Sequence, residues 1–261
     1  MTAGPAPTVE QLTRVVALDG PAGSGKTTVA REVARALGWR FVDTGATYRA
    51  LTLAALLAGI EVEDSEGVLA AAEAATVELS TDPADAWVRL DGADVTAQIR
   101  SAAVTANVSA VSAIPAVRAL LISLQRSLMG TEGAVVEGRD IASVVAPLAA
   151  VKVYLDASPE ERARRRAGDQ AGVGAPAAPQ SAPAAGSGRA AVAQHSAAFE
   201  LAVAEALKER DAKDNQTNRL EASEGALHLD TTHLTLTEVV DAVVALAAAA
   251  GISPSNRPSA P

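Results

Sequence analysis

Residues 14–19 (RVVALD) form a short apolar run ending at Gly20, the pattern of a strand buried on both faces. Residues 26–37 then place Val29, Val33, Ala34 and Leu37 on one helical face, and Gly38 stops that helix. A second strand is expected over 40–44 (RFVDT) and a second helix over 47–57. Strand, helix, strand, helix at this spacing argues for an α/β fold, a parallel sheet with helices on both faces. After Gly59 the pattern changes. Short strands over 77–80, 86–90 and 94–97 are joined by turn pairs such as Asp82-Pro83 and Asp91-Gly92, and helical stretches follow at 102–113 and 115–129. Residues 60–130 therefore read as a subdomain inserted into a core of 14–59 and 131–250. Apolar strands return at 134–137, 151–156 and 226–230. The last helix, 236–248, opens on the capping-box pattern Thr235-Leu-Thr-Glu238.

Three stretches lack such patterning. Residues 167–194 are Ala, Pro, Gly and Ser with almost no large apolar side chain, and are expected to be flexible. The N-terminal 1–13 and the tail 251–261 read the same way.

Composition narrows the function classes. Apolar residues make up 49% of the 261, enough for a substantial core. Aromatics are only 2%, which argues against a stacking platform for single-stranded nucleic acid. The net charge of -9 would repel a duplex backbone, so no nucleic-acid partner is expected. With no cysteine, disulfides, thiolate metal sites and a cysteine nucleophile are excluded. The apolar run over 50–60 is too short to span a bilayer, and 1–11 lacks the layout of a secretory signal. A cytoplasmic protein without a membrane partner is the expectation. The basic residues are unevenly split, 18 Arg to 4 Lys, and Lys26 is the only lysine before Lys152.

That lysine sits in Gly20-Pro21-Ala22-Gly23-Ser24-Gly25-Lys26-Thr27, a full match to G-x-x-x-x-G-K-[ST] between the first strand and the first helix. The glycines allow successive backbone N–H groups to turn inward around phosphate, and a helix N-terminus favours an anion. Lys26 would reach the terminal phosphates and Thr27 would face Mg²⁺, with Thr28 completing the nucleotide-binding run. No Asn-Lys-x-Asp guanine motif occurs, which argues against a GTPase. A small-molecule kinase needs a second anion site facing the first. Asp43-Thr44-Gly45-Ala-Thr47-Tyr48-Arg49 follows the second strand, at the edge where such sheets bind ligands. Glu137-Gly-Arg139-Asp140 follows a later strand in the same way; an ordinary structural ion pair explains it equally well.

Ser158-Pro159-Glu160-Glu161 starts a helix that carries Arg162, Arg164, Arg165 and Arg166. Arg164 and Arg165 each have a Glu four residues earlier. Arg162 and Arg166 share a face without one, and an anion undergoing transfer would join them. Arg210 and Asp214, one turn apart in KERDAKD, are expected either to pair or to serve a ligand.

In order along the chain, GPAGSGKT, DTGATYR, VSAVSAIPAVR, VEGRDIASVV, VKVYLDASPEERARRR and KERDAKD resemble the bacterial cytidylate kinases among the nucleoside monophosphate kinases. The likeness runs from about 15 to 248, interrupted at 167–194. It implies a P-loop-type parallel sheet, an insert at 60–130 that binds the acceptor, and a lid over about 158–196. The implied reaction moves the γ-phosphoryl of ATP to CMP or dCMP with Mg²⁺, in a protein expected to be a monomer. By similarity, Thr44, Tyr48 and Arg49 would hold the acceptor, and Ser109, Arg118 and Asp140 would read cytosine. Arg139 would bind phosphate, Arg162, Arg165 and Arg166 would belong to the lid, and Arg210 and Asp214 would meet the acceptor's phosphate and sugar. Lys26, Arg139, Arg162 and Arg166 are the residues expected to act on the transferring group.

The chain departs from the family pattern in three places. Thr47 stands where Met is commoner, and Ala142 stands where the GRDIG form has glycine. Thr217 stands where an Arg is usual, with Arg219 two residues on. The rival readings are a kinase for UMP or AMP and a nucleotide-binding regulator that does not turn over.

Overall fold

The computed structural model describes residues 6–174, 188–217 and 221–254. In chain order the elements are β1 (Val15–Asp19), α1 (Lys26–Leu37), β2 (Arg40–Asp43), α2 (Thr44–Leu57), α3 (Ser65–Ala74), β3 (Val77–Leu79), β4 (Val88–Leu90) and β5 (Ala93–Asp94). Then come α4 (Ala102–Ser112), α5 (Pro115–Met129), β6 (Ala134–Gly138), β7 (Val151–Asp156), α6 (Pro159–Gly174), α7 (Gly188–Thr217), β8 (Leu227–Asp230) and α8 (Leu236–Ala249). Five strands pair in parallel in the order β2-β6-β1-β7-β8. β1 lies in the middle, which is why its sequence is apolar without alternation.

The two faces of β1 nonetheless feed different layers. Val16 and Leu18 pack with Val29 and Val33 of α1 and Val239 and Val243 of α8. Val15 and Ala17 face the other way, onto Met129 of α5 and a π-helical turn at Ile141–Val145. Helices on both faces of a parallel sheet are the arrangement expected from the sequence.

The insert builds its own small antiparallel sheet, β3-β4-β5, beside α3, α4 and α5. α5 opens on Pro115 at its first helical position and lies at 102° to α4. α2 is shared: Leu51 and Ala55 pack against Val68 and Leu121, and Ala50 and Leu53 pack against Val88 and Ile99. Among the described residues, no single helix is long and apolar enough to cross a membrane.

Several boundaries differ from the sequence reading. α2 starts at Thr44 rather than 47, because the Asp43 carboxylate accepts the Ala46 N–H and caps it. α3 has no sequence forecast, since only Val68 and Ala72 of its ten residues are buried and its apolar stripe is thin. The stretch 1–13 is not flexible throughout: Thr8 caps a 3-10 turn at Val9–Gln11, and Leu12 is fully buried. Of 167–194, residues up to 174 continue α6 and those from 188 open α7, while 175–187 lie outside the described residues. In the tail, Ile252 packs on the core, and 255–261 lie outside the described residues.

Candidate active site

The carboxyl ends of β1, β2, β6 and β7 meet at one edge of the sheet, and the loop after β1 wraps that edge. Gly20, Pro21, Ala22, Gly23, Ser24 and Gly25 form it, with Gly25 capping α1 at φ 88°. Gly23 (φ +79°) is needed for a second reason: a Cβ there would lie 2.8 Å from the Arg162 carbonyl oxygen of α6. Lys26 is buried and donates to the Pro21 carbonyl at 2.7 Å. Burial first, then the neighbouring Arg139, pushes its amine down to about 7, against the pull of Glu137 and Asp19. Such a group is poised to gain from an anion. The Thr27 hydroxyl donates to Glu137 Oε1 at 2.8 Å, and Thr28, one residue on, is exposed.

Facing this loop is a cluster of arginines drawn from separate elements. Arg210 of α7 is pushed down to about 10, by burial foremost and then by Arg139, with Arg49 and Arg166 adding to it. Arg139 and Arg210 also weigh on Lys26, and Arg166 weighs on Arg100 as well as Arg210. One carboxylate, Asp214, sits among them. It takes Arg139 at 2.9 Å and the Ser109 hydroxyl at 3.0 Å, and lies 3.9 Å from Arg210. The expected Arg210–Asp214 pair is thus the longer of Asp214's two ion pairs with arginine.

The residues expected to hold the acceptor fall beside this cluster. Arg49 forms two hydrogen bonds with Asp43, at 3.0 and 3.2 Å. Thr44 donates its hydroxyl to the Glu137 carbonyl at 2.7 Å. Arg118 pairs with Asp140, while Ser109 turns to Asp214 rather than joining them. Tyr48 lies against that pair; burial pushes its phenol up to about 12. The Asp140 loop is held from below by Asp19, which accepts the N–H groups of Ile141 and Ala142 at 2.9 and 2.8 Å. Ala142 is buried in the core, and Asp91 is the one non-glycine residue with positive φ among those described, so no glycine is required at 142.

α6, the helix expected to belong to a lid, departs from the sequence reading in two respects. Glu161, not Glu160, serves both Arg164 and Arg165. Arg162 is not left without an acid: it pairs with Asp211 of α7 and donates to the Ala22 carbonyl, while Asp211 accepts the Ala22 N–H at 3.2 Å. Arg165 also reaches the Ser24 carbonyl at 3.2 Å and Thr231 at 2.9 Å. Both arginines therefore touch the P-loop directly. Thr217 ends α7, and Arg219, its suggested substitute, lies outside the described residues.

Sequence reasoning missed Asp19, Glu137, Asp211 and Thr231 as site residues. Glu137 and Asp211 stood inside quoted motifs, but their partners Thr27 and Arg162 are 110 and 49 residues away. No local spacing rule links them.

A P-loop on a parallel sheet, faced by converging arginines and covered by a helix that touches the loop, defines a P-loop phosphotransferase of the nucleotide kinase type. Comparison with known proteins narrows this. A family model described as Cytidylate kinase matches residues 16–181. The cytidylate kinase of Streptomyces griseus is 41% identical over 236 residues, 89% of this chain and 91% of its own. That of Streptomyces coelicolor is 40% identical over 250 residues, covering 94% and 96%. That of Rhodococcus jostii is 51% identical over 153 residues, 58% of this chain and 67% of its own. The chain belongs to the cytidylate kinase family.

Proposed function

We propose that this chain transfers the γ-phosphoryl group of ATP to CMP and dCMP, giving ADP with CDP or dCDP. A phosphate oxygen of the acceptor forms the new P–O bond as the bond from the γ-phosphorus to the β,γ-bridging oxygen breaks, and the pair of electrons leaves with ADP. The attacking oxygen is already ionised, so no general base is required. Catalysis then rests on positioning and charge neutralisation.

The observation that carries this reading is the set of arginines at the P-loop: Arg139 and Arg162 donate to the Gly20 and Ala22 carbonyls, and Arg139 and Arg210 share Asp214. Half-buried cations in that number suit a donor and an acceptor that both carry phosphate. Lys26 would hold the β- and γ-phosphates, and Arg139, Arg162 and Arg166 would stabilise charge on the transferring group. Arg165, bound to the P-loop at Ser24, belongs to the same lid. Thr44, Arg49 and Arg210 would hold the acceptor's phosphate, with Asp214 at its sugar.

For the base, the Arg118–Asp140 pair offers a donor fork beside an acceptor. That matches cytosine, which presents an amine donor next to a ring-nitrogen acceptor and a carbonyl. Ser109 completes this set by turning from Asp214. Uracil reverses the pattern at two positions, which disfavours the UMP reading.

The residues near Thr27 also fit a divalent cation. Its hydroxyl and the Glu137 carboxylate are hard oxygen donors, and burial with Asp43 nearby pushes Glu137 up, so a positive charge would be welcome there. No cluster of three or more His, Cys, Asp or Glu suited to a metal occurs among the described residues. Thr27 would therefore hold Mg²⁺ together with the nucleotide. The ion would neutralise phosphate charge when bound. We place the enzyme in the cytoplasm, as a monomer, where its nucleotide substrates are.

The reading is tested by Asp140→Ala. KM for CMP should rise by about 10–100-fold, the effect of about 1–3 kcal/mol for a buried polar group left unpaired, with KM for ATP changed less than about twofold. Equal loss for both substrates would make Asp140 a purely structural partner of Arg118.

A further inference from the structure

Gln125 of α5 is a large polar side chain, 1% exposed, that the chemistry above does not use. Burying an amide is favourable only if its hydrogen bonds are met. One half is met. Its Nε2 donates to Thr47 Oγ1 at 3.0 Å, and Thr47, itself fully buried, donates onward to the Thr44 carbonyl at 2.7 Å. The amide thus reaches across from the insert to the first turn of α2, whose next residues are Tyr48 and Arg49.

The other half, Gln125 Oε1, is buried and accepts no hydrogen bond. An orphaned acceptor of this kind is costly, and it calls for a donor nearby. Arg118, the partner of Asp140, sits on the same helix as Gln125, two turns earlier.

We infer that Gln125 is a positioning residue for the acceptor: through Thr47 it ties α5, which carries Arg118, to the first turn of α2, which carries Thr44. It thereby couples the part of the site proposed to hold the acceptor's phosphate to the part proposed to read its base, and sets the distance between them. It touches neither ligand. Thr47 gives this chain a hydroxyl in the middle of the relay, where a thioether would accept only weakly.

This inference rests on the CMP kinase reading, so the test measures CMP binding by calorimetry as well as turnover. Gln125→Leu removes both halves of the amide, and Thr47→Val removes the hydroxyl at nearly constant shape. Each should raise Kd and KM for CMP by about tenfold, the loss of one buried hydrogen bond, with KM for ATP and kcat within about twofold of wild type. The double variant should be no worse than Gln125→Leu alone, because one relay is being cut twice. Thr47→Ser, which keeps the hydroxyl, should behave as wild type, and the Thr47 pair decides the matter if Gln125→Leu does not fold. A fall in melting temperature with CMP and ATP affinities unchanged, or lost together, would overturn the inference and leave a structural amide. Failure of the wild-type chain to bind CMP would overturn the functional reading itself, and this inference with it.

Discussion

Lys26 is a buried cation between two acids, Glu137 and Asp19, and two arginines, Arg139 and Arg210. Its carbonyl and hydroxyl contacts at Pro21 and Ser24 do not replace the water it has lost. Lys26→Met should therefore fold with a melting temperature at or above wild type, while kcat drops by about a thousandfold. Turnover within tenfold of wild type would remove the P-loop lysine from the chemistry. Asp19 poses the opposite case. Burial outweighs its two backbone hydrogen bonds and pushes its carboxyl up to about 6. Its folded pKa is raised above the ordinary value near 3.8, so the folded protein holds the proton longer than the unfolded chain. Stability contributed by this group is complete below about pH 4 and is lost as pH rises to about 6. Carbon-detected NMR should find the Asp19 carboxyl titrating near pH 6; a midpoint near 4 would show that the two N–H groups win.

At the scale of elements, the contact between the P-loop and α6 depends on a missing side chain. Gly23 combines φ +79° with a Cβ position 2.8 Å from the Arg162 carbonyl oxygen. Gly23→Ala adds strain of about 1–3 kcal/mol and pushes α6 from the loop. ATP binding measured by calorimetry should weaken by about tenfold or more, with CMP binding nearly unchanged. Equal weakening of both ligands would mean the loop and the acceptor pocket move as one unit. α1 and β7 were legible to the residue, because Gly38 and the acid at 156 end clean apolar patterns. α3 and the π-helical turn were not, since the first buries little and the second is fixed by Asp19, 122 residues before Ile141. The same separation hid the site's wiring. The family resemblance pointed to Ser109, Arg139 and Asp214, but the ladder Ser109–Asp214–Arg139 joins α4, α7 and the loop after β6. Spacing within α6 assigned Arg165 a surface pair with Glu161, which exists, and said nothing of its second grip on the P-loop.

For the whole molecule, the net charge of -9 describes the surface and not the site. The sheet gathers the ends of four strands at one edge, and two helices from the C-terminal half carry Arg162, Arg165, Arg166 and Arg210 over it. The insert brings Arg118, Ser109 and Gln125 from the other side. The scarcity of aromatics fits a base read at its polar edge by Arg and Asp rather than by stacking. Such a base site shows in the choice of acceptor. ADP release in a coupled assay, compared across CMP, dCMP, UMP, AMP and GMP, tests it most directly. CMP and dCMP should exceed the other three in kcat/KM by at least about a hundredfold, because the wrong bases leave polar groups of the site unpaired. Faster turnover of UMP or AMP, or ATP binding with no ADP formed from any of the five, would contradict it.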